Sequence, residues 1–453
     1  MFPSFTEIRA ELRPLWRLAW PVILAELGWH SMSLVDTMIV GRVSADALGG
    51  VSVGSALYFV FAVFGIGLLL GLDYAIAHAV GRGDEVEASH ILRQGLILAA
   101  AEGVLLTPVL QRSAGILAWL GVEPQVLAHA EPYLDALSWS LLPLLLFTAA
   151  RRYLQAVGAV KVVMAIMVSA NVINAVAVWA LVFGAWGLPV MGARGAGWGT
   201  LAARLYMMLG ALYFVRRISA RRRGARFGGS VDWPLLTRLF RLGFPAALQI
   251  TLEVGVFALA TALAGRLGAT PLAAHHIVLS IAGLTFMMPL GLSSASAVRV
   301  GHQLGMGERV LATHSGWTAI AIGIALMATS GVVLTLAPGP ILSVFTNDEQ
   351  VIATASSLIF IAALFQIFDG IQVVATGVLR GTGETRIPMI SNLFGHWIVG
   401  LPTGYGLCFW AGWGVIGLWV GLSTGLIVVA AILLLAWTLR IRTLLSPASI
   451  AIR

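Results

Sequence analysis

Three acidic residues stand inside segments too apolar to hold a charge cheaply. Glu253 lies in Gln249-Ile-Thr-Leu-Glu253-Val-Gly255, Asp369 in Phe365-Gln366-Ile-Phe-Asp369-Gly370, and Asp36 in Ser33-Leu-Val-Asp36-Thr37. A charged side chain at mid-bilayer costs ~2.5–3.5 kcal/mol on insertion scales, so such residues normally face a cavity or a partner. Glu253 is thirteen residues after Phe240, which is ~20 Å along a helix. Asp369 is eleven residues before Arg380, or ~16 Å. Both are counted from the same side, so the two carboxylates reach similar depth in one half of the chain. Two carboxylates close together in a low dielectric cannot both stay ionised cheaply; they share a proton or hold a cation. That is the chemistry of a coupling-ion site. Two unrelated acids, each satisfied by local hydroxyls or water, would show the same spacing. Asp36 stands five residues before Gly41, ~7 Å from the outer end of its segment. It either binds an ion or is a hydrated acid near the interface.

Other polar residues are read as less specific. Glu26 and Glu102 are deep enough to be of interest, Asp73 is within reach of the cytoplasmic interface, and Glu131 and Asp135 begin a segment and snorkel. His275, His276 and His396 belong to a residue type that titrates near neutral pH. No spacing among the histidines resembles a metal set, and they are read as structural.

These side chains need membrane helices to hold them. The chain has 453 residues, of which 59% are hydrophobic and 11% charged, with a mean hydropathy of +0.92. A soluble domain averages about 25% charged residues, so this is an integral membrane protein. The single cysteine, Cys408, excludes an intramolecular disulfide and a thiol metal cluster. Residues 1–13 carry Glu7, Arg9, Glu11 and Arg13 directly before the first apolar segment, which reads as a short cytoplasmic lead and not a cleavable signal. The net charge of +8 does not imply a nucleic-acid partner, because the arginines sit where topology needs them. The only lysine, Lys161, lacks the glycines and hydroxyl of a phosphate-binding loop, so no ATPase is expected in the chain.

Twelve apolar segments are long enough to span: 15–40, 48–79, 90–111, 128–150, 162–184, 195–215, 234–264, 271–300, 310–336, 350–378, 387–410 and 415–439. Pro21, Pro143, Pro245, Pro289 and Pro402 fall inside them and are expected to kink or bend helices. Arginine concentrates at the N-terminus and in alternate loops. Arg216, Arg217, Arg221, Arg222, Arg223 and Arg226 crowd one loop, while the opposite side keeps only Arg42, Arg112, Arg194 and Arg266. The positive-inside rule then puts both termini in the cytoplasm.

The chain also repeats itself. Moved by 224 positions, Pro21 falls on Pro245, Gly41-Arg42 on Gly265-Arg266, Gly67-Leu68 on Gly291-Leu292 and His90 on His314. A constant offset through unlike residue types marks a duplication. Six segments per copy give parallel repeats, as in duplicated carriers. The expected organisation is a six-helix lobe over 1–218, a basic linker over 219–232 and a second lobe over 233–453. Asp36 falls on Ala260 and Glu253 on Trp29, so the scaffold was copied and the acids were not. That asymmetry suits specialised work in each half.

At this point a resemblance is plain. The run Trp20-Pro21 to Ser33-Leu-Val-Asp36-Thr37-Met-Ile-Val-Gly41 resembles the first span of the multidrug and toxic compound extrusion (MATE) family. So do Leu48-Gly-Gly-Val-Ser52-Val-Gly54, Asn171-Val-Ile-Asn174, Gly195-Ala-Gly-Trp-Gly-Thr200 and Val378-Leu-Arg380-Gly381-Thr-Gly383, in order along nearly the whole chain. Acids at both Glu253 and Asp369 resemble the NorM-type branch. The resemblance implies an all-α membrane fold of two six-helix lobes facing a V-shaped cavity. It implies export of organic cations and drugs by alternating access, in exchange for inward Na⁺ or H⁺. Asp36, Asn174 and Thr200 match the first lobe's cation or proton site. Glu253 and Asp369 match the second lobe's cation site, a Na⁺ candidate. Asp36, Glu253, Asp369 and Phe365 are the candidates for substrate contact.

The sequence departs from the family at three positions. Val178 stands where relatives place Asp or Asn, Phe365 where some Na⁺-coupled members have Tyr, and Glu26 where a neutral polar residue is commoner. The implied partners are small organic cations and the lipid bilayer, with no nucleic acid and no cofactor beyond the transported ion. The expected state is a monomer in the bacterial cytoplasmic membrane. A lipid-linked oligosaccharide flippase of the same superfamily would need an arginine-lined cavity, whereas the charges within spans here are mostly acidic, Arg204 being the main exception. A membrane-embedded enzyme would need a metal set or a nucleophile–base cluster, and the sequence displays neither.

Overall fold

The structure, a computed structural model, describes residues 4–119, 121–221 and 230–446. The expected linker 219–232, with Arg222, Arg223 and Arg226, lies largely outside the described residues. Among the described residues all regular structure is helical: α1 (Phe5–Val40), α2 (Ala45–Leu69), α3 (Gly71–Gly81), α4 (Glu85–Trp119), α5 (Pro124–Ser138), α6 (Leu141–Ala156), α7 (Val160–Phe183), α8 (Ala193–Arg221), α9 (Trp233–Gly265), α10 (Ala269–Gly305), α11 (Arg309–Leu336), α12 (Pro338–Ser343), α13 (Glu349–Gly381), α14 (Arg386–Asn392), α15 (Leu401–Tyr405) and α16 (Gly414–Leu444). The segments Leu393–Gly400 and Gly406–Trp410 are π-helical. A helix satisfies its own backbone, which is why a chain this apolar adopts little else in a bilayer.

Among the described residues nine helices, α2 running on through α3 as one, are long and apolar enough to cross a membrane. A tenth counts if α5 and α6, bent by 44°, form one span. That break at Trp139 and Ser140 lies just before Pro143, which has no N–H to offer the preceding turn. The two other expected spans are also helical. The segment 15–40 lies on α1, where Glu26, His30 and Asp36 dilute its apolar character. The segment 387–410 is divided by its π-helical turns.

The connections have local causes. Ser44 caps α2 by accepting from the Ala47 N–H at 3.0 Å, and Asp348 caps α13 by accepting from Gln350 and Val351 at 2.9 and 3.2 Å. Gly184 closes α7 in the left-handed region, φ +72°, which a glycine adopts without a Cβ clash.

The chain forms two compact units, Met1–Ile23 with Leu248–Arg453, and Leu24–Ala247. It passes between them inside α1 and inside α9, at Ile23 and at Ala247, which stand at the same 224-residue offset as the repeat. The 24–247 unit has a core that includes Leu69, Leu92, Leu134, Phe147 and Tyr153. The other packs Phe365, Leu358, Leu422 and Trp419. Small residues allow close helix approach in both. A Cβ placed on Gly199 of α8 would lie 2.7 Å from the Val178 nitrogen of α7, and one on Gly425 of α16 would lie 2.7 Å from the Gly395 carbonyl oxygen.

Candidate functional site

In the unit that contains α10–α16, Glu253 projects from α9 and both its oxygens are taken. Oε1 accepts from the Gln372 amide of α13 at 2.8 Å. Oε2 accepts from the Asn392 amide at the end of α14 at 3.1 Å. Asp369 lies one turn before Gln372 on α13, buried, within electrostatic range of Glu253. No hydrogen bond to its carboxyl is formed among the described residues. The structure thus brings the two predicted carboxylates together, one held by neutral amide donors and one bare. Such a pair can take a proton or a small cation. Gln366, one turn before Asp369, is 1% exposed and neither amide atom has a hydrogen-bond partner among the described residues. Gln366, Asp369, Gln372 and Thr376 therefore make a buried polar stripe along α13. Sequence reasoning singled out Asp369 alone from this stripe. The spacing of three, three and four within an apolar span was the available signal.

Asn392 and His396 face Glu253 and Gln372 because the chain turns π-helical after Asn392. His396 Nε2 lies 3.3 Å from the Gln372 Oε1 atom, and its Nδ1 has no hydrogen-bond partner among the described residues. Asn392 was not anticipated, and His396 was read as structural. Phe365 is 3% exposed and sits in a run of rings, 6.1 Å from Phe257 and 5.8 Å from Trp419. His275 ends that run and is fully enclosed: Nδ1 accepts from the Trp419 indole at 3.1 Å, and Nε2 faces the Thr261 hydroxyl at 2.9 Å. Thr261 gives its own hydrogen to the Phe257 carbonyl, so the His275 hydrogen belongs on Nε2.

In the 24–247 unit, α1, α7 and α8 converge on Asp36. Asn174 donates to Oδ1, and the Thr200 hydroxyl stands 3.1 Å from Oδ2. That hydroxyl is also 3.0 Å from the Ala196 carbonyl, so its single proton serves one acceptor at a time. The three residues matched by resemblance are thus brought together. The Asn174 Oδ1 atom is buried without a donor among the described residues, leaving one free oxygen beside the acid. Val178 is wholly buried one turn later and fills the α7–α8 seam at Gly199.

One turn beyond Thr200, Arg204 donates to the hydroxyls of Tyr58 and Ser140 and lies over the rings of Tyr58 and Trp29, 4.6 and 5.7 Å from their centres. Its charge acts on Asp36 through space. Glu26 pairs with Arg151 of α6, Asp73 lies 3.5 Å from Arg152, and the buried Glu102 carboxyl has no hydrogen-bond partner among the described residues. No group of three or more His, Cys, Asp or Glu residues that could hold a metal ion occurs among the described residues.

Comparison with known proteins gives a consistent result. The MatE family model matches residues 21–180 and 245–406, two stretches that begin at the repeated prolines. The chain is 39% identical over 443 residues to a protein described as probable multidrug resistance protein NorM from Mesorhizobium japonicum, covering 96% of this chain and 95% of that one. It is 36% identical over 441 residues to multidrug resistance protein NorM of Burkholderia vietnamiensis, covering 94% and 93%. Among solved structures it is similar to the eukaryotic MATE transporter AtDTX14, with a TM-score of 0.87, 23% identity, and coverage of 97% and 99%. An outward-facing multidrug resistance MATE family transporter has a TM-score of 0.86 at 19% identity, covering 95% and 96%. At such identities the structural likeness concerns the fold.

Proposed function

Because this chain belongs to the MATE family, and is therefore a multi-pass membrane transporter and not an enzyme, we propose that it exports drugs and other organic cations in exchange for inward H⁺ or Na⁺. Glu253 carries this reading: a partly buried carboxylate held by the amides of Gln372 and Asn392, with Gln249 as a further hydrogen-bond partner, beside the bare carboxylate of Asp369. A proton or Na⁺ at this pair neutralises it and weakens its hold on a cationic substrate. By linkage the substrate weakens the ion to the same degree. Alternating access then carries one out and the other in. Asp36, held by Asn174 and Thr200, is the corresponding acid of the other unit, with the free Asn174 oxygen as a further ligand. The arginine-rich loops support a cytoplasmic-membrane orientation with both termini inside. A flippase would need arginines free to hold a pyrophosphate, whereas Arg204 is occupied by two hydroxyls and two rings.

The test is ethidium efflux from proteoliposomes under separately imposed pH and Na⁺ gradients. Efflux driven by one gradient and lost in Asp369→Asn supports the reading. Efflux indifferent to both gradients in active protein removes it.

A further inference from the structure

The run Leu15-Trp16-Arg17-Leu18-Ala19-Trp20-Pro21 of α1 returns 224 positions later as Leu239-Phe240-Arg241-Leu242-Gly243-Phe244-Pro245 of α9. The leucines, the arginine and the proline are kept, and each tryptophan is exchanged for phenylalanine. The buried members have a reason inside the protein. Leu15 and Ala19 are wholly buried and Leu239 nearly so, while a Cβ on Gly243 would strike the Leu68 backbone. The other members turn outward. Trp16 is 41% exposed, Phe240 44% and Phe244 40%. Trp20 is half-buried, and Arg17 and Arg241 are exposed. Packing within the protein does not account for an outward aromatic, an arginine and a second aromatic one turn on, in both copies. We propose that each run is a binding site for an anionic phospholipid of the bilayer, with the arginine on the phosphate and the aromatic pair along the glycerol and the start of the acyl chains.

The depth of both runs suits a headgroup. Arg17 stands 23 residues before the end of α1 at Val40, and Arg241 stands 24 residues before the end of α9 at Gly265. That is ~35 Å of helix in each case, against a hydrocarbon core about 30 Å thick. Both guanidiniums therefore reach the boundary between headgroups and hydrocarbon, where a long cationic side chain settles. Trp20 and Phe244 lie one turn farther in, level with the start of the acyl chains. In the second run Phe244 stacks on Phe240 at 5.5 Å and meets Phe64 of α2 edge-on at 6.4 Å, which holds the outward plate in place.

Charge selects the occupant. Arg13 stands one turn before Arg17 and Arg238 one turn before Arg241, exposed on the same helix faces. None of the four guanidiniums has a hydrogen bond or an ion pair among the described residues. No acid occurs over 12–23 or over 233–247. Two uncommitted guanidiniums beside an apolar plate match a phosphate that carries net negative charge and two acyl chains. The positive-inside rule asks only for a surplus of Lys and Arg in the loops of one side. It does not ask for an arginine between two aromatics at the same register in both copies. In the orientation proposed above, both sites face the cytoplasmic leaflet. The inference does not depend on the reading of Glu253.

The experiment titrates full-length protein in mild detergent with phosphatidylglycerol or with phosphatidylcholine, and counts bound lipids by native mass spectrometry. Two phosphatidylglycerol molecules should bind ahead of the rest, and phosphatidylcholine should show no such pair. Arg17→Gln and Arg241→Gln should each weaken one of the two by about fivefold, and the double variant should weaken both. Arg386→Gln, which removes an exposed arginine outside both runs, should change neither. Asp369→Asn should bind lipid as the wild type does. A second measurement needs no variant: phosphatidylglycerol should raise the melting temperature of wild-type protein more than phosphatidylcholine does, and added salt should narrow the difference. Equal binding or equal stabilisation by the two lipids would overturn the proposal. So would an unchanged pair in the double variant, or the same loss in Arg386→Gln, which would mean diffuse charge attraction. A wild-type dimer that the double variant separates, with lipid binding intact, would assign the runs to a second copy of the chain and overturn it too.

Discussion

Glu11, near the start of α1, is clamped by Arg299 of α10, 288 residues away in sequence: Nε and Nη2 of the guanidinium each donate to the carboxylate at 3.1 Å. Ser315 adds a third donor at 2.6 Å, and Glu11 is 6% exposed. The first turns of α1 are therefore built into the same unit as α10 and α11. Hydrogen bonds to a charged group contribute about 1.5–3 kcal/mol. Glu11→Ala should lower the stability of purified protein by roughly that amount. An unchanged denaturation midpoint would show that the clamp stabilises nothing.

Asp369→Asn preserves shape and removes the charge. Because no hydrogen bond to this carboxyl is formed among the described residues, the variant should insert and fold normally. Drug resistance conferred on a sensitive host should nonetheless be lost. Full resistance at equal membrane abundance would take Asp369 out of the mechanism.

The pH dependence has a definite sign. Acid protonates the Glu253–Asp369 pair and makes it less attractive to a cation. The dissociation constant for ethidium should therefore rise as pH falls, by up to tenfold per pH unit if one proton competes with one cation. It should vary less with pH in Asp369→Asn. A dissociation constant independent of pH in wild-type protein would contradict competition.

The Glu26–Arg151 ion pair is buried, with side chains 10% and 8% exposed. Removing one partner leaves an uncompensated charge, a loss of about 3–5 kcal/mol, whereas replacing both with apolar residues is often neutral. Glu26→Leu should accordingly be strongly destabilising, and Glu26→Leu combined with Arg151→Met much less so. Thermal melts that were additive for the two changes would count against the pair.

Gly199 holds α8 close to α7 beside Thr200. A methyl there would meet the Val178 backbone, and overpacking of this kind costs about 1–3 kcal/mol. Gly199→Ala should lower the melting temperature. It should also weaken transport by shifting the Thr200 hydroxyl away from Asp36. Wild-type stability and transport together would mean that the seam yields without cost.

The amino-acid order alone determined the class and the plan of the molecule. Burying a polar atom in a bilayer is costly, so hydropathy, arginine placement and the 224-residue duplication are written locally and can be read locally. The same cost makes Asp36, Glu253 and Asp369 conspicuous, because an acid in an apolar run needs a reason. The fold decided what surrounds them. Gln372, Asn392 and His396 carry no charge that stands out in a sequence. Their meaning comes from three helices meeting at Glu253, with a π-helical turn aiming two of them. Arg204 stood out in the sequence only as the main basic exception within the spans, and its surroundings became visible once Tyr58, Ser140 and Trp29 closed around it. Nothing local to α1 and α9 tells that each changes unit partway along, at Ile23 and at Ala247. That is settled by which distant side chains, such as Arg299 for Glu11, complete the packing and hydrogen bonding of each half.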